Sequence, residues 1–339
     1  FLISGIDISN GFIGIGSSDV NGLTIFESYV HDMYAPETSI HGIALYLENT
    51  DNLSILGSKF FNTPGNHIAR IQGSEKAIVS NSVFESASTN GNALSIRGKT
   101  TTGAVPWSGY WTQHVVISNN IIDNSMRGGY ALYAGPQSVG HAERVRDVIV
   151  EGNYIKGKSL YAANFQVAEN LTVRNNILSS YYPYAIGLGL GGNSAGSPAT
   201  NGAYIYNNTI YKPDTSVSFN FSAFSFSNAG LASNLQIKNN VIYGTGNTRD
   251  GAGNGSGATL FAQGGAVGVD GINFSYSGNT SNTDIPIVKP WVVATPSDAL
   301  EFTPDGAYSA ANQFDTFGSI WAFSYKPTGL NRTRGAIEP

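Results

Sequence analysis

The chain has 339 residues, no cysteine, a formal net charge of −5 and only 12% charged residues, against 41 glycines. The missing cysteines exclude a disulfide framework and any thiolate metal site. The scattered basic residues exclude a nucleic-acid surface, and no run is long and apolar enough to span a membrane.

The first element, "FLISGIDIS", already alternates apolar and polar residues, so the chain is expected to begin in mid-coil of a repeat. Next comes "LTIFESYV", then "LSILGSKF", "AIVSNSVF", "HVVISNNIIDNS", "VIVEGNYI", "LTVRNNIL", "AYIYNNTI", "LQIKNNVI" and "FSYSGNTS". Each is a short apolar run broken by two turn-forming residues. Taking the second of these as a landmark gives Ser28, Ser58, Ser82, Asn120, Asn153, Asn176, Asn208, Asn240 and Asn279. The intervals run 30, 24, 38, 33, 23, 32, 32 and 39 residues, which is an internal repeat with insertions.

A second strand precedes most landmarks: "HGIALYLEN", "NHIARIQGS", "NALSIRG", "GYALYAGP", "AANFQVAEN", "YAIGLGLGG", "FSAFSFSNAG" and "GATLFAQGG". No segment carries a sustained apolar pattern at helical spacing. A propeller blade needs about 40–50 residues, whereas a coil of a parallel β-helix closes in just over twenty, roughly the shortest interval observed. The reading is therefore all-β: one right-handed parallel β-helix of roughly nine to eleven coils. Its coils span 1–283. From 284 the landmark is lost and prolines accumulate, so 284–339 is expected to descend over the last coil as a cap of the same domain.

In this fold the paired asparagines are turn residues. Asparagine tolerates the left-handed backbone that a tight turn needs, and its amide can bond to the asparagine one coil away. The register also places Ile25, Ile55, Val79, Ile117, Val150, Val173, Ile205 and Ile237 at one inward position. Leu47, Ile71 and Ile96 fill another. The outward columns beside them hold Tyr46, Arg70, Ser95 and Tyr133, and then Glu48, Gln72 and Arg97. Either this strip binds a ligand, or its charges pair across coils, Glu48 with Arg70 for example. The insertion "GKTTTGAVPWSGYWTQ" follows Arg97 and brings Trp107, Tyr110 and Trp111 to the edge of the strip, where flat rings suit sugar faces. The charges of "RVRDVIVEGNYIKG" are expected to form cross-coil pairs. The loop "TRDGAGNGSG", 248–257, offers oxygen ligands to calcium but reads first as a loop, so no cofactor is assigned.

The coil region, with its closing "TGLNRTRGAIEP", resembles secreted bacterial right-handed β-helix proteins of the polysaccharide lyase and tailspike type. The resemblance implies a secreted or cell-surface protein whose partner is a polysaccharide. Stacking on further β-helical segments, or on a second copy, is a further possible association. The stretch "ALSIRGKT" is similar to the strand of alginate lyases and chondroitinase B that carries Leu-Arg followed by His-Gly. Only Arg97 matches, and the His-Gly is absent. For β-elimination from a uronic acid, the resemblance implies catalytic Arg97; the chemistry also needs a base, for which the residues offer Lys99 or, beside Arg70, His67. Glu48, Arg70, Gln72, Trp107, Tyr110, Trp111 and Tyr133 are then expected to bind the sugar. The other reading is a non-catalytic structural or adhesive rod.

Overall fold

Period-two alternation, glycine and asparagine turns and the lack of helical periodicity produce a chain whose described elements are all strands. The structure is a computed structural model. It describes residues 1–34, 42–85, 91–98, 111–125, 128–136, 144–158, 161–167, 169–180, 186–190, 201–211, 222–227, 233–238, 240–243, 261–264, 274–277 and 280–281. The segment 284–339, read as a cap, lies outside the described residues, as do Lys99, Trp107, Tyr110, Asn279 and the loop 248–257.

Every pairing among the described strands is parallel. The strands fall into three columns, which make a solenoid-like stack with three faces. The first face contains 13–18, 43–48, His67–Gln72, Asn92–Arg97, Leu132–Gly135, Tyr161–Phe165 and Ile186–Leu190, and continues to Phe261–Gly264. The second runs from Leu2–Ser4 through Glu75–Ser80, Trp111–Ser118, Arg144–Glu151 and Glu169–Arg174 to Phe274–Ser277. The third runs from Asp7–Ser9 through Tyr29–His31, Lys59–Phe61 and Ile121–Asn124 to Thr280–Ser281. Two long strands, Ile13–Phe26 and Ile43–Leu56, pass through the first face and the second without a break.

The corners differ. Between the second face and the third the connection is always two residues, as at 27–28, 119–120 and 207–208. Between the first and second faces it varies, with two residues after Gln72 and thirteen after Arg97. Between the third face and the next first-face strand it varies again, from three residues after Ser9 to seventeen after Tyr243. The variable excess in the repeat interval thus enters at two corners only.

At the constant corner the two residues have separate tasks. The first takes the left-handed conformation: Gly5, Glu27, Gly57, Asn81, Asn119, Gly152, Asn175 and Asn207 all have φ between 44° and 65°. The second is buried and builds a ladder. The amide N–H groups of Ser28 and Ser58 donate to the hydroxyls of Ser58 and Ser82, and that of Ser82 donates to Asn120 Oδ1. The chain continues through Asn153, Asn176 and Asn208 to Asn240. Each asparagine also donates Nδ2 to a carbonyl on the preceding coil, such as Asn176 to Val150 and Asn208 to Val173. Hence the side-chain amides of Asn120, Asn153, Asn176 and Asn208 are buried with their bonds made.

Inside the stack, Ile25, Ile55, Val79, Ile117, Val150, Val173 and Ile205 are in register and fully buried, with Ile237 at the next register position. Phe60 and Phe84 add a stacked pair, 5.2 Å apart, from the third face. Leu47, Ile71, Ile96, Ala134 and Phe165 line the first face from within. Their outward neighbours form the candidate site.

Candidate functional site

Because inward and outward positions alternate, fixing Leu47, Ile71 and Ile96 in the core fixes what the first face carries outside. One outward column is Tyr46, Arg70, Ser95, Tyr133 and Asn164; the next is Glu48, Gln72, Arg97 and Gly135. Six of the predicted residues meet here: Glu48, Arg70, Gln72, Arg97, Tyr133 and, at the start of its strand, His67.

These side chains form two bracing units. In the first, Arg70 Nε donates to Gln72 Oε1 at 2.7 Å and its guanidinium lies 5.4 Å from the Tyr46 ring centroid. Gln72 Nε2 in turn donates to Tyr46 Oη at 3.2 Å. In the second, Arg97 Nε donates to Ser95 Oγ at 2.8 Å and its guanidinium lies 5.3 Å from the Tyr133 ring centroid. The Tyr133 hydroxyl donates to Pro136 O at 2.7 Å, and the ring stacks on Tyr130 at 5.8 Å. A side chain at position 135 would meet Tyr133 Oη at 2.8 Å, so Gly135 is what lets the tyrosine lie flat.

The strip is therefore packed rather than fully solvated. Gln72 and Tyr133 are buried, while Arg70, Arg97 and Glu48 are half-buried. Neither Arg70 nor Glu48 enters an ion pair among the described residues, so the cross-coil pair open to the sequence reading is not made. Arg70 turns to neutral partners instead.

His67 is only 8% exposed. The Asn92 amide donates to its Nδ1, and Arg97 Nη2 approaches its Nε2, each at 3.3 Å. A neutral imidazole offers a lone pair on one nitrogen only, so it accepts one of these two donors. Trp111 opens a second-face strand, around the corner from Arg97, with Arg146 4.4 Å above its ring. One face of the indole is thus already covered.

The charges of 144–156 do pair across coils: Arg146 with Glu169 at 3.9 Å, Glu151 with Arg174 at 2.6 Å and Lys156 with Asp123 at 3.2 Å. Burial, opposed by the Arg174 charge, leaves the Tyr206 hydroxyl above its ordinary pKa. On the third face His31 is held between Asp32 at 2.6 Å and Asp7 at 2.8 Å, against the Phe61 ring. Among the described residues no group of three or more His, Asp or Glu side chains is arranged to hold a metal ion. No helix there is long and apolar enough to cross a membrane.

Sequence reasoning missed Asn164. The strand "AANFQVAEN" was legible, and carrying the alternation one strand further places Asn164 in line with Arg70 and Tyr133. Comparison with protein-family models, with curated proteins and with solved structures found no match to this chain.

Proposed function

We propose that this chain is an extracellular polysaccharide-binding protein, built as a right-handed parallel β-helix, whose outward first face holds an acidic glycan. The observation that carries the reading is Arg70. Its guanidinium is oriented by Gln72 and Tyr46 and half-buried, yet it has no carboxylate partner among the described residues. A cation fixed in place by neutral groups is preorganised for an external anion, since little side-chain entropy remains to be lost on binding. One coil further the Arg97 guanidinium likewise lies against a tyrosine ring, that of Tyr133. Parallel strands stack about 4.8 Å apart, a spacing comparable to one sugar unit, so successive coils can meet successive units of a polymer.

Within this proposal the hand of the helix follows the preference of parallel crossovers. Binding is favoured over lyase chemistry by His67. Its imidazole is nearly buried and faces two protein donors, whereas a base must reach a substrate proton.

Calorimetric titration with polygalacturonate, alginate and hyaluronan oligosaccharides tests the reading. Wild type is expected to bind at least one of the three. Arg70→Ala is expected to weaken that binding roughly ten-fold or more. Wild-type protein that binds none of them would refute the proposal. Ultraviolet absorbance from unsaturated chain ends, appearing with wild type and lost in Arg97→Ala, would establish the lyase in place of the binding rod.

A further inference from the structure

Glu48 and Arg70 stand on neighbouring coils of the first face, half-buried and opposite in charge, yet they form no ion pair. The sheet itself does not keep them apart. Glu48 is in register with Gln72, two residues along the strand from Arg70, so the two charges are diagonal neighbours. Lys59 and Glu85 are also diagonal neighbours, because Glu85 is in register with Phe61, and they close to 3.6 Å. Charges directly in register close too: Glu151 and Arg174 to 2.6 Å, Lys156 and Asp123 to 3.2 Å.

What separates Glu48 from Arg70 is the bracing of the strip. Arg70 is tied to Gln72 Oε1 and lies against the Tyr46 ring. Both register neighbours of Glu48 are engaged elsewhere. Gln72 Nε2 donates to Tyr46 Oη, and Ser18 Oγ donates to Asp19 Oδ2. The Glu48 carboxylate is thus left without a hydrogen bond or ion pair among the described residues. A half-buried carboxylate is incompletely hydrated, and donors that reach it make charge-assisted bonds.

Two open charges of opposite sign define the ligand that fits between them. Arg70 is a place for an anion; Glu48 repels anions and accepts from donors. Diagonal neighbours in a sheet lie roughly 7–8 Å apart, a span that one pyranose ring with its substituents can bridge. In a pyranuronate the carboxylate on C5 and the hydroxyls on C2 and C3 leave opposite edges of the ring. Vicinal hydroxyls offer two O–H donors to the two oxygens of a carboxylate. We propose that Arg70 and Glu48 hold the two edges of a single uronate, with Glu48 accepting from its 2- and 3-hydroxyls. The first face then selects uronates that are free at O2 and O3 and rejects those acetylated or sulfated there. This rests on the glycan-binding reading of the first face.

The test takes whichever of the polygalacturonate, alginate and hyaluronan oligosaccharides wild type binds, and compares it by calorimetric titration with the same oligosaccharide acetylated at uronate O2 and O3. Wild type is expected to bind the acetylated form about ten-fold more weakly or worse, as the loss of a charge-assisted hydrogen bond implies. Glu48→Ala is expected to weaken the unmodified form about ten-fold and to bring the two forms level. Its melting temperature should not fall, because the carboxylate holds nothing in the free protein. Glu48→Gln, which keeps one acceptor oxygen and loses the charge, should lie between wild type and the alanine variant. Equal wild-type affinity for the two forms refutes the contact, as does a Glu48→Ala protein that still discriminates or that binds the unmodified form as tightly as wild type. If Arg70→Ala weakens binding in those cases, the glycan-binding reading stands without the Glu48 contact. Wild type that binds none of the three polymers overturns both.

Discussion

Asn153 Oδ1 accepts two hydrogen bonds from Asn120, one from the backbone N–H at 2.9 Å and one from Nδ2 at 3.0 Å. A single buried oxygen thus joins two coils through main chain and side chain together. The same pair of bonds links Asn153 to Asn176, Asn176 to Asn208 and Asn208 to Asn240.

Asn153→Ala should be costly out of proportion to its size. It strands the backbone and side-chain donors of Asn120 and leaves Ile117 O and Glu151 O without the Asn153 amide. The expected loss is about 2–4 kcal/mol by chemical denaturation. Asn153→Ser should cost less, because a serine hydroxyl already accepts the corresponding N–H at Ser58 and Ser82. Equal stability of the alanine variant and wild type would show that the ladder bonds contribute nothing net.

Val173 sits fully buried between Val150 and Ile205 in the aliphatic stack. Val173→Ala opens a cavity and should cost about 1–3 kcal/mol. Val173→Asp buries a charge with no counter-ion and should prevent folding. A soluble aspartate variant with a cooperative melt would contradict the register.

Stability of the first coils should depend on pH through His31. Its bond to Asp32 is the main influence raising its pKa above the ordinary 6.5; burial opposes this and Asp7 adds to it. A raised folded value means that the contribution is complete below the unfolded value and is lost as pH rises through the folded one. Asp32 moves the other way. Its bonds to His31 and Asn62 lower its pKa, so its contribution holds above the ordinary carboxylate value and is lost as pH falls through the lowered one. The strands Asp7–Ser9 and Tyr29–His31 should be most protected from amide exchange between these limits. In His31→Gln the alkaline loss of protection should vanish. An imidazole titrating at or below the ordinary value, read from its ring protons by NMR, would sink the prediction.

The stack was legible because its causes are local. "ISNNII", "VRNNIL" and "IKNNVI" combine turn chemistry with period-two apolar residues, and both survive in any context. Even Ser28, Ser58 and Ser82 could be aligned as landmarks, although that they extend the asparagine ladder is visible only in the bonds. The first face was legible in its phase but not in its packing. Outward phase alone predicts exposure, yet Gln72 and Tyr133 are buried, because arginines and tyrosines on neighbouring coils brace one another. Which partner Arg70 chooses is decided by rotamers across coils, and no sequence spacing encodes that. Asn164 was overlooked because one asparagine among many carries no signal until its neighbours are counted.

The constancy of the two-residue corner has an evolutionary consequence. A single inserted residue there would interrupt the asparagine series on both sides, so this edge is closed to length change. The other two corners already range from an unbroken strand to a connection of seventeen residues with the strand register intact. Those permissive corners are the two that border the first face. Segments on either side of it can be lengthened, exchanged or grafted from another protein while the load is borne elsewhere. The molecule thus separates its backbone of support from its margin for innovation, and new binding preferences can arise at that margin without renegotiating the fold.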